Sequence, residues 1–342
     1  MLYFDVTMPV ALFAVTLVAM FLDRRIEGRL KTTFEEREFR VRDAVLFVVM
    51  ISVAVSVIVF VPQMAILALF LFSYSALLFT FSYVFSDMRK KRAQLFSVGF
   101  GLASLTAGTF ALLDPLADRL MFYGGSALLG LAAFAFLALL LEWKKTDAKA
   151  RWYLAVLPPA LFILLYVVYN GTSLWFPYLL DVFGITFAVL IILYVGSLFT
   201  WKSASIFAGL LTVMDIILVL VTGIMVTAAK QVSGLGLPVL VSLPTVPLII
   251  SEKGVQFMSL GLGDFFFAGI LATQTFKKFG KRTAVLSVLT MSVSFAVFEA
   301  FLLNYRWGAF PGTLMIICGW LPVVAWKILS ERKLRRQSKE KI

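Results

Sequence analysis

The chain has 342 residues, of which 61% are hydrophobic and only 15% charged, a balance that excludes a soluble globular domain and fits an all-α polytopic membrane protein. It has no histidine and one cysteine, Cys318, which excludes histidine-based catalysis, His/Cys zinc sites and an intrachain disulfide. The net charge of +12 is parcelled into short loops between apolar runs, so it reads as membrane topology and not as a nucleic-acid surface; nor is there a GxGxxG or Walker motif for a nucleotide.

Apolar runs bounded by charges or Pro/Gly turns predict spans over 4–22, 44–61, 63–86, 93–113, 119–142, 152–169, 175–199, 203–228, 255–276, 283–303 and 310–328. Nine to eleven transmembrane helices are therefore expected, the tightest division falling at Val61-Pro62-Gln63. No Lys or Arg precedes the first run, whereas Arg24 and Arg25 follow it, the reverse of a cleaved secretory signal. With each cation counted at the nearer end of a span, 27 of the 31 Lys and Arg fall on one side and 4 on the other. The positive-inside rule then puts the N-terminus outside and the C-terminus in the cytoplasm. Three parts are expected: N-terminal transmembrane helices over 1–142, a catalytic core over 152–328, and a basic cytoplasmic tail over 329–342. Arg332, Lys333, Arg335 and Arg336 in that tail suit an orientation signal and contact with anionic lipid.

Between the spans at 203–228 and 255–276 lies a long apolar connector, 229–254, on the outer side. Pro238, Pro244 and Pro247 with Gly234, Gly236 and Gly254 exclude a helix there. The stretch Val239–Leu243 predicts a short strand, either an ordinary connector or an edge onto which an extended substrate could add.

Two aspartates stand within these flanking spans, Asp215 and Asp264. A charged carboxylate at the middle of a membrane helix costs roughly 2.5–3.5 kcal/mol, so a pair of them points to function. Asp215 is 13 residues from Lys202 and Asp264 is 13 residues from Lys277. At about 1.5 Å per residue both carboxyls lie ~20 Å above inner anchors, on antiparallel neighbouring helices. Gly261 and Gly263 remove bulk beside Asp264 and predict close backbone approach. Two such carboxyls can share a proton and activate water against a peptide carbonyl, or they can serve an ion pathway; depth and spacing leave a protease and a secondary transporter or proton-coupled channel both open. A catalytically silent membrane chaperone is a third reading. Glu299 is expected at the outer interface, Asp114 and Asp118 in a solvated loop, and Cys318 as a buried, inert thiol.

At these residues the chain resembles the presenilin and signal peptide peptidase family of intramembrane aspartyl proteases. That family carries Tyr-Asp on one helix, Gly-x-Gly-Asp on the next and Pro-Ala-Leu at the start of the last. Gly261-Leu262-Gly263-Asp264 matches the second motif in full. Met214 stands in place of the tyrosine before Asp215, and of the third motif only Pro311 remains, followed by Gly312 and Thr313. The segments at 226–230, Leu237-Pro238-Val239 and Asp181-Val182-Phe183-Gly184 resemble the signal peptide peptidase branch, as does the derived orientation. The resemblance implies a catalytic dyad of Asp215 and Asp264 needing no cofactor, and substrate positioning by Pro311, with Gly312, Thr313, Leu237, Pro238 and Val239 in support. It implies membrane-embedded peptide or protein substrates, signal peptides among them, and leaves oligomerisation open. The short loops suit a prokaryotic, archaeal-type member in the plasma membrane.

Overall fold

The computed structural model describes residues 3–34, 38–115, 118–144, 151–251, 254–305 and 309–339. In chain order the helices are α1 (Thr7–Phe34), α2 (Val41–Ile58), α3 (Gln63–Val84), α4 (Lys90–Leu113), α5 (Arg119–Lys144), α6 (Leu157–Tyr169), α7 (Leu180–Gly196), α8 (Trp201–Ile216), α9 (Ile224–Ser233), α10 (Leu262–Phe279), α11 (Lys281–Tyr305) and α12 (Gly312–Lys339). Strands β1 (Leu240–Pro244), β2 (Ile250–Ser251), β3 (Gly254–Val255) and β4 (Phe257–Gly261) lie between α9 and α10. Among the described residues nine helical stretches are long and apolar enough to cross a membrane. The apolar part of α1, Thr7–Asp23, and α10 with its charged ends account for the other two predicted runs. The protein is an all-α polytopic membrane protein with a short extended element before α10.

Three predicted boundaries move. The run at 203–228 is not one helix: α8 stops at Ile216, a π-helical turn covers Ile217–Val221, and Gly223 at φ +67° turns the chain into α9. A left-handed residue breaks a helix at little cost only where a glycine stands. The run at 255–276 begins as strand, and helix starts at Leu262. Hydrogen bonding to β1 satisfies one edge of that backbone. Finally, α12 continues through most of the predicted tail as far as Lys339; residues 340–342 lie outside the described residues.

The chain packs as two compact units, Met1–Gln63 with Leu180–Ile342, and Met64–Leu179. In the second unit, α4 and α5 meet through small residues. A Cβ on Gly108 would come within 2.9 Å of the Gly125 carbonyl, so glycine there permits close approach. Arg151, 2% exposed, pairs through Nε with Glu142 at 2.7 Å and donates Nη1 to the Met88 carbonyl at 2.6 Å. Tyr153 donates its hydroxyl to the same Glu142, so the buried charge pair is fully hydrogen-bonded.

In the first unit α10 is the central element, buried along nearly its whole length and packed by α1, α7, α8, α11 and α12. Phe47, Phe199, Phe207 and Phe266 form an aromatic cluster against it. Lys277, in its last turn, binds Asp23 and Glu27 of α1 at 3.2 and 2.9 Å. An anchor at that end and strand pairing at the other fix the height of α10.

Candidate active site

Asp215 is the penultimate residue of α8. Thr200 and Ser203 cap the start of that helix reciprocally, Thr200 N–H donating to Ser203 Oγ at 2.9 Å and Ser203 N–H to Thr200 Oγ1 at 3.3 Å. From Lys202 to Asp215 the backbone is continuous helix, as the spacing of the two residues supposed. The π-helical turn begins two residues later, with the Thr222 N–H reaching back to the Ile217 carbonyl at 2.9 Å. Such turns widen a helix and recur beside functional side chains.

Asp264 lies in the first turn of α10 rather than in mid-helix. Extended Gly261 precedes the helix, and its N–H donates to the Asp264 carboxyl, half of a reciprocal cap. The strand leading in is held residue by residue: Leu240 opposes Gly261, Val241 opposes Leu260, and the Leu262 N–H donates to the Val239 carbonyl at 3.0 Å. The Gly-Leu-Gly-Asp string is thus the junction of a strand and a helix. A Cβ on Gly261 would come to 3.2 Å from Asp264 Oδ2, whereas one on Gly263 would meet only open space. Gly263 is exposed, so it keeps the approach to the carboxyl clear and does not serve close helix packing.

The start of α12 joins the two acids. Pro311 is buried and its carbonyl accepts the Met315 N–H at 3.3 Å, closing the first helical turn. Gly312 faces Asp264 so closely that a Cβ there would collide with the carboxyl. Thr313, next in sequence, donates to Asp215 Oδ2 through its hydroxyl at 2.6 Å and its N–H at 3.3 Å. Adjacent residues therefore each touch one acid, and the two half-buried carboxyls lie close enough for their charges to interact directly. Each also meets a helix N-terminus, Asp264 in its own helix and Asp215 in α12. The positive ends of two helix dipoles thus offset part of the cost of holding acids away from bulk water.

Other expected residues fall as follows. Leu262 is buried and Met214 half-buried. Leu237 is 1% exposed and Pro238 is buried, so their side chains serve packing; Val239 contributes its carbonyl to the Leu262 N–H. Neither edge of β1 is open at Ser242. One faces β4, and on the other Ser242 N–H donates to Asp181 Oδ1 at 2.6 Å. Glu299 is 1% exposed, turned by α11 toward the protein interior, and lies near Asp5 just before the start of α1. Cys318 is exposed on the outer face of α12 and is not a core thiol. Asp118 is exposed and caps the start of α5 through the Met121 N–H at 2.8 Å. Ser242 and Ser259, whose hydroxyls meet at 2.7 Å across the hairpin, had no sequence signal beyond the strand prediction around Ser242.

Two carboxyls thus meet at the start of one helix, beside a strand. The signal peptide peptidase family model matches residues 31–308, and the chain belongs to that family. Its members are intramembrane aspartic peptidases that act on transmembrane substrates, and this chain is an integral membrane protein. No curated protein matches it. The family match ends before Pro311, so the account of 311–313 stands on the contacts alone.

Proposed function

We propose that Asp215 and Asp264 are the catalytic dyad and hydrolyse peptide bonds within transmembrane segments. The observation that carries this reading is the pair of adjacent residues Gly312 and Thr313, each set against one of the two acids. Two carboxyls this close cannot both ionise cheaply, so they hold one proton between them. The ionised member takes a proton from water while the protonated member polarises the scissile carbonyl. Oxygen adds to carbon to give a gem-diol, which collapses as the leaving nitrogen takes up a proton. Gly263, with open space where its side chain would stand, leaves room for the scissile peptide.

A helical substrate hides its carbonyls in hydrogen bonds and must unwind before attack. The edge that suits the unwound stretch is that of β4. Along an antiparallel ladder alternate residues face outward. The Leu262-to-Val239 and Thr245-to-Gln256 hydrogen bonds set the phase, so Ser259 turns its N–H and C=O away from β1 and is exposed. This edge leads directly into Gly261 and Asp264. The sequence-predicted pairing surface over Leu237–Leu243 is replaced by this neighbouring one.

Lysine and arginine placement supports a cytoplasmic C-terminus and an outward-facing connector, the signal-peptide-peptidase orientation. Substrates then have cytoplasmic N-termini, signal peptides included, in a prokaryotic plasma membrane.

The test is cleavage of a labelled transmembrane peptide by the purified protein in detergent. Fragments should form with the natural chain and vanish with Asp215→Asn and with Asp264→Asn. Unaltered fragments in either variant would remove that residue from the dyad. Solute movement across sealed vesicles without cleavage would favour the transporter.

A further inference from the structure

We propose that Asp181, outside the dyad, is a positioning residue that fixes where the substrate is cut; this rests on the reading of Asp215 and Asp264 as catalytic. Asp181 lies in the first turn of α7, 8% exposed, and its Oδ1 accepts the Ser242 N–H at 2.6 Å. A buried carboxylate receiving a backbone N–H at that distance is a strong, charge-assisted hydrogen bond. One helical turn further on, Gly184 lets the strand lie against the helix: a Cβ there would come to 3.1 Å from Val241 Cγ2 and 3.3 Å from the Leu240 carbonyl. Asp181 and Gly184 together form a cradle for the backbone of β1.

The cradle governs the active acid because each further link is rigid. Ser242 opposes Ser259, and their hydroxyls share a hydrogen bond at 2.7 Å. Leu240 opposes Gly261, and Val239 holds the Leu262 N–H. Moving β1 along α7 therefore moves Gly261, the residue that caps Asp264. The same carboxylate does a second task. Ser242 and Ser259 are an outward-facing pair of the hairpin, and Asp181 occupies the outward N–H of Ser242, while Ser259 is an exposed residue. An extended segment is thereby excluded from the β1 edge and directed to the β4 edge, as inward-placed charges protect strand edges elsewhere. Two edges would offer two registers of presentation to the dyad, and Asp181 leaves one.

Asp181→Ala and Asp181→Asn test this, with cleavage positions read by mass spectrometry beside the natural chain and Asp264→Asn. Asn keeps an oxygen for the Ser242 N–H and should retain the natural cut site. Ala should lower turnover about tenfold, the order expected for a hydrogen bond to a charged group, and should spread cutting to neighbouring bonds. Hydrogen exchange in β1 and β4 should quicken in Ala and not in Asn, a readout independent of catalysis. Cutting at the natural bond alone in Ala, with slower turnover explained by a smaller active fraction, would overturn the proposal while leaving the dyad intact. Absence of cleavage by the natural chain would overturn both readings.

Discussion

Thr313 donates twice to one oxygen of Asp215, through its hydroxyl at 2.6 Å and its backbone N–H at 3.3 Å. The backbone donor survives every substitution but proline, whereas the hydroxyl survives only as serine or another hydroxyl residue. Thr313→Val keeps the shape and deletes the shorter bond, and a hydrogen bond to a charged group is worth about 1.5–3 kcal/mol. Turnover of a transmembrane peptide should fall roughly tenfold to a hundredfold, with the cut site unchanged. Thr313→Ser should recover most of it. Equal rates for Val and Ser would show that the hydroxyl is dispensable.

Gly312 precedes it in the same turn and abuts the Asp264 carboxyl. Gly312→Ala introduces a single methyl group, which must displace either the acid or the start of α12. Overpacking of this kind costs typically about 1–3 kcal/mol. The variant should show both a lower melting temperature and turnover at least about tenfold below the natural chain. Gly263→Ala meets open space and should melt as the natural chain does. The contrast between the two glycines is the measurement, made by thermal unfolding in one detergent.

How these positions could be read beforehand depends on the range of the forces that fix them. The apolar runs were legible because the bilayer imposes a local rule, about 20 apolar residues per crossing. The matched placement of Asp215 and Asp264 along their helices was legible for a related reason: both acids sit 13 residues of unbroken helix from a lysine, Lys202 and Lys277. The ends of α8 and the start of α10 were not. Hydropathy is uniform across the π-helical turn and Gly223 in 203–228 and across the strand-to-helix junction in 255–276, so it cannot separate the elements. What starts α10 at Leu262 is the pairing of β4 with β1, a contact the sequence does not announce. The cap that Thr313 places on Asp215 joins residues 98 apart and follows only from packing of α12 on α8.

The orientation proposed from the charge bias has a direct check. Cys318 is exposed on α12 and must first be replaced by serine to give a silent background. Asn170→Cys, between α6 and α7, should then react with a membrane-impermeant maleimide in intact cells. Arg282→Cys, at the start of α11, should react only after permeabilisation. The reverse pattern would invert the topology and the substrate class with it.

Glu299 presents a different case. It is 1% exposed, neither carboxyl oxygen has a hydrogen-bond partner among the described residues, and the Asp5 carboxylate is near enough to repel it. A buried polar group without partners costs on the order of 1–3 kcal/mol. Glu299→Met keeps much of the volume and removes that cost, so the melting temperature should rise by about 2–4 °C. Cleavage should stay within about twofold, since no contact joins Glu299 to the dyad. A large loss of activity with a stable fold would assign the carboxyl a functional role.

The two faces of the hairpin allow one last separation. Val241 turns its N–H into the ladder toward β4, while Ser259 turns its N–H outward. Proline removes that donor and is tolerated chiefly at outward-facing edge positions. Val241→Pro should therefore damage the fold itself, lowering the melting temperature by several degrees and abolishing cleavage. Ser259→Pro spares the ladder, and Ser259→Ala, which likewise deletes the hydroxyl bond to Ser242, is its reference; the two should melt within about 2 °C of each other. Proline alone removes the donor to which an extended substrate would pair, and its turnover should lie about tenfold or more below that of Ser259→Ala. A raised KM alongside the lower kcat would place the loss in substrate docking as well as chemistry. Natural turnover in Ser259→Pro would show that substrate backbone does not add to β4, and unwinding would then need another partner in the membrane.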